Sequence, residues 1–233
     1  MKNEKAVILF SGGLDSTTAL YWAKREFSTV HALIVNYSQR HNIETKMARR
    51  IATALDVDAH LVQFPLKDLV YSALIDTDKT IPDSLATSKN EEGVPFTYVP
   101  FRNGIFLSLA AAFAESRGIL NIITGFNLID TPDYPDTTGN FAKKMEAAIN
   151  EGTSASITGR KFKIHTPLID KSKKDIIVMG LELGADYSYS ISCYRGDEVP
   201  CLKCPSCDIR QRAFTQLNME DPLISRLKKE GKL

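Results

Sequence analysis

Long apolar runs are missing from this sequence. Nothing in it approaches the roughly 18 consecutive apolar residues that a membrane-spanning helix requires. An excess of one charge is missing too, since 29 Lys+Arg against 28 Asp+Glu leaves +1 with His neutral. A generic nucleic-acid coat draws its affinity from a strong basic excess. Neither a membrane nor a nucleic-acid partner is therefore expected. Cysteine is absent before Cys193, and all four cysteines fall between Cys193 and Cys207. That distribution excludes a disulfide framework spread along a secreted chain. The opening Met1-Lys2-Asn3-Glu4-Lys5 leads into a short apolar stretch, Ala6 to Phe10, that Gly12 and Gly13 interrupt. A signal peptide needs a longer apolar region, so a cytoplasmic, reducing setting is expected. No internal repeat and no low-complexity segment occurs, and the only Gly-Lys pair is Gly231-Lys232, so there is no Walker loop.

What is present is the mix of an ordinary folded domain, with 43% hydrophobic and 24% charged residues. A chain of 233 residues can bury a substantial core. Strands are expected at Lys5 to Phe10, Thr29 to Val35, Ala59 to Phe64, Asn121 to Thr124 and Lys161 to Thr166. Helices are expected at Thr17 to Arg25, Glu44 to Leu55, Gly104 to Arg117, Phe141 to Asn150 and Lys173 to Leu183. Short strands alternating with helices imply an α/β fold with a parallel sheet covered on both faces. Such sheets bind ligands at the carboxyl ends of their strands. The stretch from Pro65 to Pro100 reads as a long irregular loop, functional or mobile. The charged tail Arg226 to Lys232 reads as a solvated helix end, and the helix Gly104 to Ala114 as core.

Ser11-Gly12-Gly13-Leu14-Asp15-Ser16 sits between the first strand and the first helix. Two glycines let backbone N–H groups approach an anion closely, and the helix presents its positive end. Ser11, Ser16 and Thr17 add hydroxyls. Asp15 repels phosphate, which makes sense if it holds Mg²⁺ or caps the helix. The cysteines Cys193, Cys201, Cys204 and Cys207 have the spacing C-x7-C-x2-C-x2-C. Four thiolates so placed suit a closed tetrahedral Zn²⁺ site of structural role, with an iron–sulfur cluster as the rival that spacing leaves open.

The glycine-serine loop resembles the PP-loop of the N-type ATP pyrophosphatases. That resemblance implies a doubly wound parallel sheet, adenine nucleotide alpha hydrolase-like, and cleavage of ATP between its α and β phosphates. Three further segments narrow it: Asn36-Tyr37-Ser38-Gln39-Arg40-His41, Thr97-Tyr98-Val99-Pro100-Phe101-Arg102-Asn103, and Ser192-Cys193-Tyr194 with the later cysteines and Arg210. Together with the loop they resemble the 7-cyano-7-deazaguanine synthases of queuosine and archaeosine biosynthesis, from about Ala6 to Phe214.

The resemblance implies an ATP-dependent ligase that converts 7-carboxy-7-deazaguanine and ammonia into the nitrile through adenylated intermediates. It implies residues 1–185 as the ATP-pyrophosphatase domain and 186–233 as a zinc-binding helical region, in a homodimer. No glutaminase segment is recognised, so free ammonia or a separate donor is implied. Phe10, Ser11, Gly12, Gly13, Leu14, Asp15, Ser16 and Thr17 are assigned to ATP and its Mg²⁺. Asp15, Ser16, Arg102 and Lys173 are assigned to catalysis. Arg102 and Asn103 stand at a helix start where an anion would be met. Gln39, Arg40, His41, Asn103, Gly125, Asn127, Tyr134 and Asp136 are assigned to the substrate, with Tyr134 stacking on the ring and Asp136 accepting from its N–H groups.

Pro132-Asp133-Tyr134-Pro135-Asp136-Thr137-Thr138 departs from the Ser-Gly-Tyr-Pro-Asp-Cys-Arg common in that family, because the arginine is missing. This departure keeps a relative acting on a different carboxylate in view. A tRNA-modifying thiolase is the other alternative.

Overall fold

The computed structural model describes residues 3–37, 43–67, 69–75, 83, 89–129 and 133–233. Its five strands are β1 (Lys5–Leu9), β2 (Thr29–Asn36), β3 (Asp58–Gln63), β4 (Asn121–Ile123) and β5 (Lys163–His165). They form one sheet in the order β3-β2-β1-β4-β5, and every neighbouring pair is parallel. The helices are α1 (Leu14–Glu26), α2 (Ile43–Ala54), α3 (Arg102–Glu115), α4 (Gly139–Gly152), α5 (Ala155–Thr158), α6 (Lys173–Glu182), α7 (Pro205–Gln216) and α8 (Pro222–Lys229).

Strand periodicity divides the core into two layers. Ala6 and Ile8 of β1, Ala32 and Ile34 of β2 and Ile123 of β4 pack with residues of α1, α2, α6 and α7. Val7, Leu33, Ile122 and Ile164 point the other way and pack with α3, α4 and α5. The central strands are apolar on both faces because both faces are covered, which makes the sheet doubly wound. After β1 the chain moves outward to β2 and β3, then returns to the other side of β1 as β4. The strand order reverses between β1 and β4, and the crevice beyond their carboxyl ends is where such sheets place ligands.

All ten expected elements are present, with ends displaced by a few residues. The expected solvated helix end at Arg226 to Lys232 holds for residues 228–232, which are exposed, and needs correction at Arg226 and Leu227. Leu223 and Leu227 of α8 are buried, and Arg226 is buried beside them. Its Nε donates to Ser188 O at 2.8 Å, its Nη1 donates to Glu230 Oε2 at 2.9 Å, and its guanidinium lies 4.6 Å from the Tyr189 ring. A long arginine can lay an apolar stem in the core while its head is paired. Within 186–233, Ala213 and Phe214 of α7 belong to the same core layer as α1 and α6. Of the irregular stretch between β3 and α3, Leu66, Ile75 and Val99 pack with Tyr37.

Candidate active site

β1 ends at Leu9, and residues 10–13 turn the chain into α1. Gly12 has φ +76, and a Cβ there would lie 2.8 Å from the Ala48 backbone nitrogen, so the turn excludes any side chain. Gly13 is the N-cap of α1 and supplies no side-chain cap, so the first-turn N–H groups lack the usual internal partner. Ser11 Oγ lies 3.1 Å from Ser16 Oγ, and Ser16 Oγ also donates to Gly13 O at 3.1 Å. Thr17 is fully buried, and its hydroxyl has no hydrogen-bond partner.

Lys173, the first residue of α6, reaches across to this loop. Its Nζ lies 2.7 Å from both Oδ1 and Oδ2 of Asp15. Their side chains are only 15% and 26% exposed, so this pair is more sheltered than an ordinary surface ion pair. Ser172 and Asp175 form a reciprocal capping box that sets the start of α6 and so the origin of the lysine. The loop after β4 closes the other side. A Cβ on Gly125 would lie 3.1 Å from Ser16 N, which explains glycine at that position.

These elements border a cavity of about 360 Å³. Of the sequence-derived residues, Phe10, Ser11, Gly13, Leu14, Asp15, Ser16, Arg102, Asn103, Gly125, Asn127, Tyr134 and Lys173 line it together. Gly12 and Thr17 do not line it. Gln39, Arg40 and His41 lie outside the described residues.

Arg102 Nη1 donates to Tyr37 OH at 3.1 Å, and the guanidinium lies 5.5 Å from the Tyr37 ring. Burial pulls the Arg102 pKa down, but Tyr37, Asp136 and Glu44 outweigh it and leave it raised. Asp136 is buried, and its Oδ2 accepts the Asn103 backbone N–H at 3.0 Å. That carboxylate therefore completes the N-terminus of α3 and is not among the groups lining the cavity. Tyr134 OH lies 2.5 Å from Thr97 Oγ1, and the Tyr134 ring meets Tyr98 edge-on at 6.1 Å between centroids. Tyr194 joins this group, and burial with the Tyr134 contact holds its phenol well above the usual range. Asn127 Nδ2 donates to Lys171 O at 2.5 Å.

Several lining residues received no role from the sequence, Glu44, Thr45 and Thr124 among them. Glu44, in the first turn of α2, has its carboxyl lifted to about 7, mainly by burial, with Arg102 pulling it down and Cys193 pushing it up. Thr45 and Thr124 carry buried hydroxyls without a hydrogen-bond partner. Such orphans are rare in a finished core and suit a ligand-binding wall. The signal for Thr124 was its place at the carboxyl end of β4, directly before Gly125. Glu44 carried none, because one glutamate at a helix start is equally a cap.

The four cysteines converge beside this cavity. Their sulfur atoms all lie within 4.8 Å of one another, and Cys193, Cys204 and Cys207 are buried. The Cys201 N–H points at Cys193 Sγ (3.4 Å) and the Cys204 N–H at Cys201 Sγ (3.3 Å). Amide donors to sulfur favour thiolates. Hydrogen bonds from Cys204 and Cys207 hold the Cys193 thiol far below its ordinary value, while the contact with Cys193 pushes Cys204 up to about 11. Four sulfurs so close cannot all ionise alone, and a bound cation removes that conflict. The donor set fits a tetrahedral metal.

Residues 5–218 match the family described as Queuosine biosynthesis protein QueC. The 7-cyano-7-deazaguanine synthase of Methylococcus capsulatus is 43% identical over 220 residues, covering 93% of this chain and 96% of that one. The 7-cyano-7-deazaguanine synthase of Thermoplasma volcanium is 41% identical over 220 residues, covering 94% and 90%. Among solved structures, the NMN synthetase of Francisella tularensis aligns over 97% of this chain and 82% of its own, at 13% identity and a TM-score of 0.49.

Proposed function

The chain belongs to the queuosine biosynthesis QueC family of 7-cyano-7-deazaguanine synthases, and on that footing we propose that its cavity adenylates a carboxylate and then passes it to ammonia. The enzyme is a synthase of 7-cyano-7-deazaguanine. In the proposed reaction 7-carboxy-7-deazaguanine is its acid substrate. The observation that carries the reading is the Lys173 ammonium held 2.7 Å from both oxygens of Asp15, at the phosphate loop and inside the cavity.

Paired with each other, Asp15 and Lys173 neutralise their charges, which keeps a carboxylate from repelling incoming phosphate. Mg²⁺ arriving with ATP would take Asp15 and supply charge neutralisation to the pyrophosphate. Lys173 is then free to turn to a phosphate oxygen. Ser11, Ser16 and the uncapped first turn of α1 donate to the departing pyrophosphate. Arg102, kept charged by Tyr37, Asp136 and Glu44, holds the acid against the α-phosphate. Its oxygen displaces pyrophosphate and forms an acyl adenylate. Ammonia attacks the carbonyl carbon, AMP leaves, and an amide results. A second adenylation, now of the amide oxygen, followed by loss of AMP and two protons, gives the nitrile. Glu44, titrating near 7, is placed to accept protons released in these steps.

The Tyr134, Tyr98 and Tyr194 group forms an aromatic wall suited to the deazaguanine ring. Zn²⁺ in the four-cysteine site would fasten residues 193–207 against that wall and has no open position for chemistry. Two copies of the chain and a cytoplasmic setting complete the proposal.

Incubation with ATP, ammonium and 7-carboxy-7-deazaguanine should release two AMP and two pyrophosphate per nitrile formed, read by mass spectrometry. Release of ADP and phosphate instead, or consumption of only a different acid, would overturn it.

A further inference from the structure

Toward the amino ends of β2 and β3, away from the ATP cavity, three side chains converge that the proposed reaction does not use. In the parallel register His31 stands opposite Asp58, and Leu33 opposite His60. Residues two apart on a strand share a face, so His31, Asp58 and His60 lie together on the side covered by α3. Phe113 of α3 forms their apolar wall, with its ring 4.7 Å from His60 and 6.2 Å from His31 between centroids.

The spacing of the three donor atoms is the main observation. His31 Nδ1 lies 3.3 Å from Asp58 Oδ2, His60 Nε2 lies 2.9 Å from the same oxygen, and the two ring nitrogens are 3.4 Å apart. A tetrahedral ion with N and O ligands at about 2.0–2.1 Å sets those ligands about 3.3 Å apart. The observed triangle is close to one face of that tetrahedron. Hydrogen bonding alone satisfies it less well. If both rings donate to the one oxygen, two N–H dipoles oppose each other across 3.4 Å; if neither does, three lone pairs meet; and if only one does, the other ring's lone pair still faces the carboxylate oxygen, across 3.3 Å for His31 or 2.9 Å for His60. A cation in the same place makes every edge favourable.

We propose that His31, Asp58 and His60 form a metal site separate from the cysteine cluster, taking a divalent first-row transition ion such as Zn²⁺ or Co²⁺. Two imidazoles and one carboxylate suit those ions, whereas Mg²⁺ prefers an all-oxygen octahedron. The Asp58 side chain is 62% exposed, so the fourth position opens to water. The ion would cross-link β2 to the edge strand β3, and the site is independent of the ATP reading.

The test uses the full chain with its cysteine site saturated with Zn²⁺ and without ATP. Titration with Co²⁺ should show one further saturable equivalent with the visible absorption of a nitrogen–oxygen site. His31→Ala and His60→Ala should each weaken that binding by about tenfold or more, with AMP release unchanged. In the unaltered protein, excess Zn²⁺ should shift the ring NMR signals of His31 and His60 and leave those of His165 in place. Absence of the extra equivalent overturns the proposal, as does undiminished affinity in His60→Ala or a Zn²⁺ response at His165 in place of the pair.

Discussion

The glycine-serine loop and the cysteine cluster touch, since the Ile191 N–H donates to Gly12 O at 3.1 Å, yet they are held by different means. The loop is suspended between a buried strand and a buried helix. Its shape follows from β1 and α1, whatever is bound. The cluster has Cys207 in α7 and Cys204 at its cap, while Cys193 and Cys201 come from irregular backbone. Its apolar surround, chiefly Met47, Ile191, Ile43 and Leu74, is smaller than either layer packed on the sheet. Its own ligands have to order it, with help from one buried ion pair. Arg210 donates from Nε to Asp221 Oδ2 (2.6 Å), from Nη2 to Asp221 Oδ1 (2.8 Å) and from Nη1 to Ser190 O (2.9 Å). The lesson is that a site formed by the sheet can be damaged without unfolding, whereas a site formed by its ligands cannot.

The largest effect should come from stripping the Zn²⁺ proposed for the four-cysteine site. Structural zinc carries about 10–16 kcal/mol of apparent binding energy in small zinc peptides. A strong chelator should therefore abolish amide-exchange protection across 189–207 and stop AMP release, while β1 and α1 stay protected. Equal loss of protection in β1 would break the comparison.

Arg210→Ala should come next. It leaves the buried Asp221 carboxylate unpaired, a change that costs about 3–5 kcal/mol. Urea unfolding should read that loss, with 7-cyano-7-deazaguanine synthesis retained by the fraction still folded.

Lys173→Ala should act in the opposite sense. AMP release should fall by about 10²- to 10³-fold, the usual scale for losing one charge-stabilising group. Its urea midpoint should barely move. A large stability loss would show that the Asp15 pair supports the fold and not the chemistry.

The smallest effect sharpens the cavity side. The Glu44 carboxyl is raised from 4.5 to about 7, so the folded protein favours its neutral form. That contribution to stability is complete below the unfolded pKa and is lost as the pH rises through about 7. Glu44→Gln removes the penalty. It should stabilise the protein by about 1–3 kcal/mol at pH 8 and by almost nothing at pH 4.5, as measured by thermal melts at the two pH values.

The glycine-serine turn was legible because its signal is local: two glycines and three hydroxyls within residues 11–17, between a strand and a helix. The cysteines were legible for the same reason. Asp136 was not, because its carboxylate serves a backbone N–H at Asn103, a partner distant in sequence. Arg226 reads as a solvated charge until Ser188, Tyr189 and Glu230 are placed around it. His31, Asp58 and His60 carry no motif at all, since only the register of two strands brings them together.

Local pattern alone thus determined the alternation of strands and helices, the glycine-serine turn after β1 and the clustering of four thiols near one another in the chain. Each depends on neighbours a few residues apart, whose geometry the backbone constrains. Tertiary structure decided which lysine meets Asp15, which carboxylate turns inward to cap α3, and which glutamate is pushed toward neutrality. Burial and charge partners set those outcomes, and both arise only when distant segments pack together.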